Sequence, residues 1–175
     1  MNAPKISTDK SQKWEELMKE FRPKSDRIVA ILGATYLKSH LGQMLENFFV
    51  DDKEVSEKLL SEEGPLGGFD ARIKMAYALG LISPYEYHDL LIIHSIQKTF
   101  LKEMTGIKFS SDPIRLNCFR LRLPREILLP GETQTPRRLF VFVNAFLTQQ
   151  FTLRAMQAVQ EKRIPRDNFM LVDID

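Results

Sequence analysis

The sequence predicts an all-α fold, a single-domain helical bundle of about six or seven helices, and three observations predict it. Apolar residues recur at steps of three and four in nearly every apolar segment, the spacing of one helix face. Helix stop and start signals separate these segments, most clearly at Gly80 and at Ser83-Pro84-Tyr85-Glu86. The one run of strand composition, Leu139 to Val143, lies inside a longer stripe of helical period. A chain of 175 residues can bury roughly 70% of its unfolded surface in one core, so it needs no covalent staple. No flexible linker separates two self-sufficient apolar halves. The expected division is therefore a polar, disordered segment at 1–12, a helical domain at 13–162 and a tail at 163–175.

In chain order, Trp14, Leu17, Met18 and Phe21 make a short amphipathic helix that Pro23 ends. Ser25 caps a long helix whose stripe is Ile31, Ala34, Leu37, Leu41, Leu45 and Phe48. Its other side, Ile28, Leu32, Thr35, Ser39 and Gly42, turns from apolar to small and suits the close approach of another backbone. Asp51-Asp52-Lys53-Glu54 interrupts the apolar run, which Val55, Leu59 and Leu60 continue as a short helix. After a glycine turn, Phe69, Ile73, Ala76, Tyr77 and Gly80 share the buried face of the next helix, and Gly80-Leu81 suits a left-handed C′ residue with its hydrophobic contact. Ser83 then supplies an N-cap, Pro84 an N1 and Glu86 an N3.

That helix runs on through Leu90, Ile93, Ile96, Phe100 and Met104, widened by Tyr87 and Leu91, and is expected to be central and to pack as an antiparallel hairpin on its predecessor. Gly106 stops it, and Asp112-Pro113 restarts a short helix as N-cap and N1. Leu123-Pro124 through Pro130-Gly131 to Thr135-Pro136 reads as loop. Phe140, Val143, Leu147, Phe151, Ala155 and Ala158 then keep a helical stripe across the strand-like run, which is read as helix. In the tail, Phe169, Met170, Leu171 and Val172 are apolar enough to dock on the body or on another subunit.

Hydrophobic residues at 43% and charged residues at 27% are ordinary for a soluble globular protein. The lone cysteine, Cys118, excludes an internal disulfide and a cysteine-based zinc site, and a reducing cytoplasm is the expected location. Met1 to Lys13 is polar, unlike a signal peptide, and no apolar run approaches the roughly 18 residues that span a membrane. A net charge of +2 does not by itself imply nucleic acid.

Candidate sites are few. His88 and His94 stand about 240° apart around a helix, and with His40 the only other histidine no metal site is expected. His88 beside Asp89 is a possible acid-base pair, which would require a concave pocket next to it; the plainer reading is a helix start where Asp favours the dipole. Gly64-Pro65-Leu66-Gly67-Gly68 precedes a helix and could cradle a phosphate, but neither phosphate-loop spacing is present, and a structural turn is favoured. Arg115, Arg120 and Arg122 flank Cys118 and would lower its pKa if close in space; a buried, inert thiol is favoured. Arg115, Arg120, Arg122, Arg125, Arg137 and Arg138 make the most basic stretch, offset between Arg115 and Arg138 only by Glu126 and Glu132. It is either a phosphate-contacting patch or, as favoured, a solvated surface or one salt-bridged to the acidic stretch Asp51 to Glu63.

Pro65-Leu66, Phe69-x-Ala71-Arg72-Ile73, Ala76-Tyr77-x-Leu79-Gly80-Leu81-Ile82 and Tyr87-His88-Asp89-Leu90 resemble the core motif of the mannitol operon repressor family, and Phe109-x-x-Asp112-Pro113-Ile114 with Cys118 extends the likeness over roughly residues 25–124. The resemblance implies an all-helical transcriptional regulator. Relatives often carry Ile-Arg-Asn-x-Phe-Ala-His at the end of the long helix, similar to the Arg and His pair of HEPN-type ribonucleases. Here Ile96 and Phe100 are kept, while Gln97 and Lys102 stand at the Arg and His positions. Gln carries no permanent charge and Lys does not titrate near neutral pH, so a ribonuclease is not implied. The expectation is thus a non-enzymatic regulator without cofactor or metal, working through a protein partner such as a transcription factor, as a homodimer. Direct nucleic-acid binding through Arg115, Arg120, Arg122, Arg137 and Arg138 is the alternative. Asp70, Arg72, His88 and Asp89 are the polar members of the motif able to form a site.

Overall fold

A computed structural model describes residues 25–103, 105–127 and 134–166. The expected N-terminal segment and Trp14–Phe21 helix, Met104, Pro130-Gly131 and the apolar group Phe169–Val172 lie outside the described residues. Within them the chain forms seven helices: α1 (Asp26–Phe48), α2 (Lys53–Leu60), α3 (Phe69–Ala78), α4 (Pro84–Lys102), α5 (Ile114–Arg120), α6 (Leu123–Ile127) and α7 (Pro136–Ala158). The fold is all-α, as the periodicity predicts.

The helix signals at Ser25, Gly80 and Ser83 act locally. Ser25 caps α1 by accepting from the Ile28 amide. Gly80 is left-handed at φ +73°, with Leu81 N–H donating to Ala76 O and Gly80 N–H to Tyr77 O, the two bonds of a Schellman ending. Ser83 and Glu86 complete the capping box, and Pro84 sits in the first turn. The strand-like run is helical: Leu139–Val143 lies in α7, and Phe140, Val143, Leu147, Phe151, Ala155 and Ala158 are all buried. Propensity for strand is overridden because the whole stripe, not the five residues, meets the core.

The two 23-residue helices, α1 and α7, form the most extensive contact of the bundle. They approach closely where Gly33 faces Asn144: a Cβ on Gly33 would lie 2.7 Å from Asn144 Oδ1. Asn144 is buried, donates to Phe140 O and finds no donor for Oδ1. Helix α4 touches α1, α3, α5, α6 and α7. In the α3–α4 hairpin, Phe69 meets His94 (ring centroids 5.5 Å) and Tyr77 stacks on Tyr87 (4.3 Å), so advancing along one helix retreats along the other, an antiparallel pair.

Several local readings need correction. Tyr77 is 42% exposed and lies against Tyr87 rather than in the core, while Arg72 takes a buried place on α3. Val55 is exposed and Ser56 is the buried residue of α2, which Asp52 caps. The small-residue side of α1 admits no backbone at Gly42; it admits the Arg72 guanidinium, whose Nη1 would be 2.6 Å from a Cβ there. Pro113, not Asp112, occupies the cap position of α5, because Asp112 gives its carboxylate to Arg115. The stretch read as loop from Leu123 begins with α6, whose amides are capped from a distance by Asp89.

Candidate functional site

The motif residues Arg72, His88 and Asp89 are placed by the α3–α4 hairpin; Arg72 and Asp89 hold backbone, and His88 holds the Asp89 carboxylate. Arg72 is 8% exposed and donates from Nε to Leu66 O (2.7 Å), from Nη1 to Lys38 O (3.0 Å) and from Nη2 to Leu60 O (2.6 Å). One guanidinium thus ties α1, the end of α2 and the glycine turn together. Burial pushes it below its ordinary pKa, and Glu62, itself paired with Lys38, works against that. Five N–H donors in a rigid fork are what three divergent carbonyls need, and Lys lacks that geometry.

Asp89 is fully buried and accepts the Arg122 amide (2.8 and 3.0 Å), the Leu123 amide (2.9 Å) and His88 Nδ1 (2.9 Å). The structure therefore brings His88 and Asp89 together, but the carboxylate is the N-cap of α6, supplied from 33 residues earlier in the chain. One concave pocket beside this hairpin, about 360 Å³, is lined by residues from Gly80 to Ser83 and by Arg154, Gln157, Ala158 and Glu161, and by neither His88 nor Asp89. That pocket is therefore not one an acid-base pair at these two residues would serve. Asp70 stands apart, at the exposed start of α3, paired with Lys74 at 3.3 Å; burial raises its pKa, and Lys74 outweighs that to leave it lowered.

The glycine turn is structural. Its amides are used internally: Gly64 N–H donates to Ser61 O, Leu66 N–H to Leu59 O and Gly67 N–H to Gly64 O. A Cβ at Gly64 would be 2.2 Å from Lys58 O and one at Gly67 2.3 Å from Glu62 O, so the chain lies directly on the end of α2, and these glycines are explained by that close approach.

The arginines do not form one free patch, and the acids that pair with Arg115 and Arg137 lie outside the stretch Asp51 to Glu63. Arg115 is bidentate to Asp112 (2.9 and 3.2 Å) and Arg137 pairs with Asp26, which also accepts the Phe109 amide. Arg125 donates to Phe119 O (2.8 Å), and Arg122 lies over the Tyr85 ring at 5.7 Å. Arg120 and Arg122 are exposed at the α5–α6 corner, and Arg138 begins α7, where Thr135 caps its amide. Arg115, Arg120 and Arg122 lie on α5 and just past its end, and Arg137 and Arg138 in the first turn of α7. The acidic stretch pairs elsewhere, Asp51 with Lys162 and Glu62 with Lys38. Cys118 is 1% exposed, and burial pushes its thiol up to about 12, so the neighbouring arginines do not activate it.

Pairings absent from the sequence reading are those between distant elements. Arg154 of α7 reaches Glu86 Oε2 (2.7 Å) beneath the pocket, joining the capping box of α4 to the last helix. Arg27 donates to Phe100 O and Glu103 O and closes the C-terminal end of α4. No local pattern signals either. Among the described residues no cluster of three His, Cys, Asp or Glu could hold a metal, and no helix is long and apolar enough to cross a membrane.

Comparison with known proteins gives a consistent result. The family model for the mannitol repressor matches residues 23–164, beyond the 25–124 that the motifs cover. The mannitol operon repressors of Escherichia coli K12 and O6:H1 are each 32% identical over 74 residues. That alignment spans 41% of this chain and 38% of the relative, well under half of either. The X-ray structure of the MtlR-HPr complex from Escherichia coli contains a chain of the same fold, with a TM-score of 0.65 at 19% identity over 79% of this chain and 98% of that one. A possible transcriptional regulator, YggD from Shigella flexneri, matches with a TM-score of 0.57 at 16% identity over 93% and 100%.

Proposed function

The chain belongs to the mannitol repressor family, and from that membership we propose that it is a non-enzymatic regulator of transcription that works by contact with another protein, with HPr as the partner. One observation carries the reading: a structural relative over 98% of its length is a chain of a complex with HPr. The geometry agrees with it, because Arg72 and Asp89, the motif residues best suited to chemistry, are consumed by backbone contacts. In this reading residues 13–162 act as one domain, in the cytoplasm, and the regulator is a homodimer.

Calorimetric titration of the purified chain with HPr from the same organism tests the partner; a saturable exothermic or endothermic transition is expected, and a flat titration refutes it. Sedimentation equilibrium tests the dimer. Tight, sequence-selective binding of an operator duplex by the chain alone would refute action through protein contacts.

Direct nucleic-acid binding is the second reading, favoured by the exposure of Arg120 and Arg122 at one corner. It predicts that Ala at Arg120, Arg122, Arg137 and Arg138 flattens the salt slope of binding, and an unchanged slope dismisses those residues.

A further inference from the structure

Two stretches of chain distant in sequence close around the pocket beside the hairpin: the turn at residues 80–83, between α3 and α4, and the end of α7 with the turn beyond it. From the second stretch, Arg154, Gln157, Ala158 and Glu161 follow at steps of three, one and three, so one side of the helix brings a guanidinium, an amide and a carboxylate to the same space. Ile82 and Ala158, both buried, supply apolar lining. The polar groups are largely unspent. Arg154 uses Nη1 alone, on Leu81 O (3.3 Å) and Glu86 Oε2 (2.7 Å). Among the described residues its Nε and Nη2, the Gln157 amide and the Glu161 carboxylate make no hydrogen bond to protein. Arg72 is the contrast, with Nε and both Nη atoms given to carbonyls.

Charge narrows what can enter. Arg154 is already neutralised by the buried Glu86, and Glu161 adds a second carboxylate. A phosphate or carboxylate ligand would meet two like charges for one guanidinium. A cation would find Glu86 engaged by Arg154 and the Ser83 amide, and Glu161 exposed, where an ion pair contributes little. A neutral molecule rich in hydroxyls suits the site, because each hydroxyl can donate to the Glu161 carboxylate or the Gln157 amide oxygen and accept from the guanidinium. The volume, about 360 Å³, lies at the lower end of the roughly 300–1,000 Å³ of small-molecule sites. We propose that this pocket binds a small neutral polyhydroxyl compound, a sugar or sugar alcohol, with Arg154, Gln157 and Glu161 as its hydrogen-bonding residues. A ligand held there joins the turn that opens α4 to the end of α7, and so acts as an effector of the fold. The assignment does not depend on HPr being the partner.

Titration of the nitrogen-15-labelled full chain with D-glucitol, D-mannitol and D-glucose, each to about 20 mM and so well above a Kd of about 1 mM, tests this. At least one is expected to move the backbone amide signals of residues 80–83 and 157–161 saturably. Gln157→Ala and Glu161→Ala alter exposed side chains, so each is expected to leave the melting temperature nearly unchanged while raising Kd several-fold. General exclusion of polyols from the surface stabilises wild type and variants alike and does not saturate. Absence of saturable shifts with all three compounds, shifts confined to other parts of the chain, or an equal Kd in wild type and both variants overturns the proposal. Saturable shifts at these amides with inorganic phosphate or mannitol 1-phosphate, and none with the neutral compounds, overturn the neutral class.

Discussion

Replacing Arg72 by Ala removes three hydrogen bonds from a charged donor to Leu66 O, Lys38 O and Leu60 O. Bonds to a charged group contribute about 1.5–3 kcal/mol each, which gives a gross loss above 4 kcal/mol. Two effects reduce it: water reaches the part-buried Lys38 and Leu60 carbonyls, and removing a desolvated cation relieves its burial cost. The net expectation is about 3–5 kcal/mol.

Gly42 makes the claim sharper. With Arg72 present, Gly42→Ala puts a Cβ 2.6 Å from Nη1 and must displace the guanidinium. That costs about 1–3 kcal/mol, a weakened charged bond. With Arg72→Ala in the background the clash is gone, and the same change gains about 0.5–1 kcal/mol from helix propensity. The coupling between the two substitutions is therefore about 2 kcal/mol, readable by urea unfolding followed by far-UV circular dichroism. Additivity within about 0.5 kcal/mol would show that Arg72 does not occupy the space Gly42 leaves.

Further outcomes follow from other contacts. Asp89→Ala leaves the Arg122 and Leu123 amides without acceptors, and at about 1–3 kcal/mol per orphaned donor the melting temperature should fall by at least 4 °C, taking about 2–4 °C per kcal/mol; a shift under about 2 °C would refute the capping role. Gly67→Ala, with its Cβ 2.3 Å from Glu62 O, should also lower the melting temperature, whereas Gly68→Ala, whose nearest neighbour is the Asp70 carboxylate at 3.1 Å, should cost less; equal melting temperatures would contradict the close approach. The Cys118 thiol, held near 12 in the fold against 9.0 in the open chain, favours the folded state below pH 9 and loses that advantage between about 9 and 12. Stability should fall over that window, and Cys118→Val should make the fall shallower; an identical profile would rule the thiol out.

Much of what is decided within one turn of chain was readable from the sequence, the cap of α5 excepted, where Asp112 turns to Arg115 instead. The capping box at Ser83–Glu86, the left-handed Gly80 and the α7 stripe depend on neighbours three or four residues away, which period and residue type expose. Helix α6 was unreadable because its cap comes from Asp89 on α4, so its start carries no local signature. Arg72 and Tyr77 exchanged their expected roles for a related reason: an apolar stripe marks a face, but three carbonyls outside α3 converge on the guanidinium and decide that it is buried there. The candidate site fared alike. His88 and Asp89 are adjacent in sequence and in space, yet the meaning of the pair lay in two amides 33 and 34 residues on.

The contact between Gly33 and Asn144 has a bearing on which changes the chain tolerates. Sliding α7 by one turn along α1 would carry a half-satisfied amide against Cβ-bearing side chains, so this polar contact acts as an alignment key between two otherwise oily rods. A key and its slot are altered together or not at all: Gly33→Ala should be tolerated only where residue 144 has become smaller, and Asn144→Ala should open the slot to Ala at 33. The pair fixes a phase between α1 and α7, and through Arg154 on Glu86 that phase also sets where the last helix meets the first turn of α4.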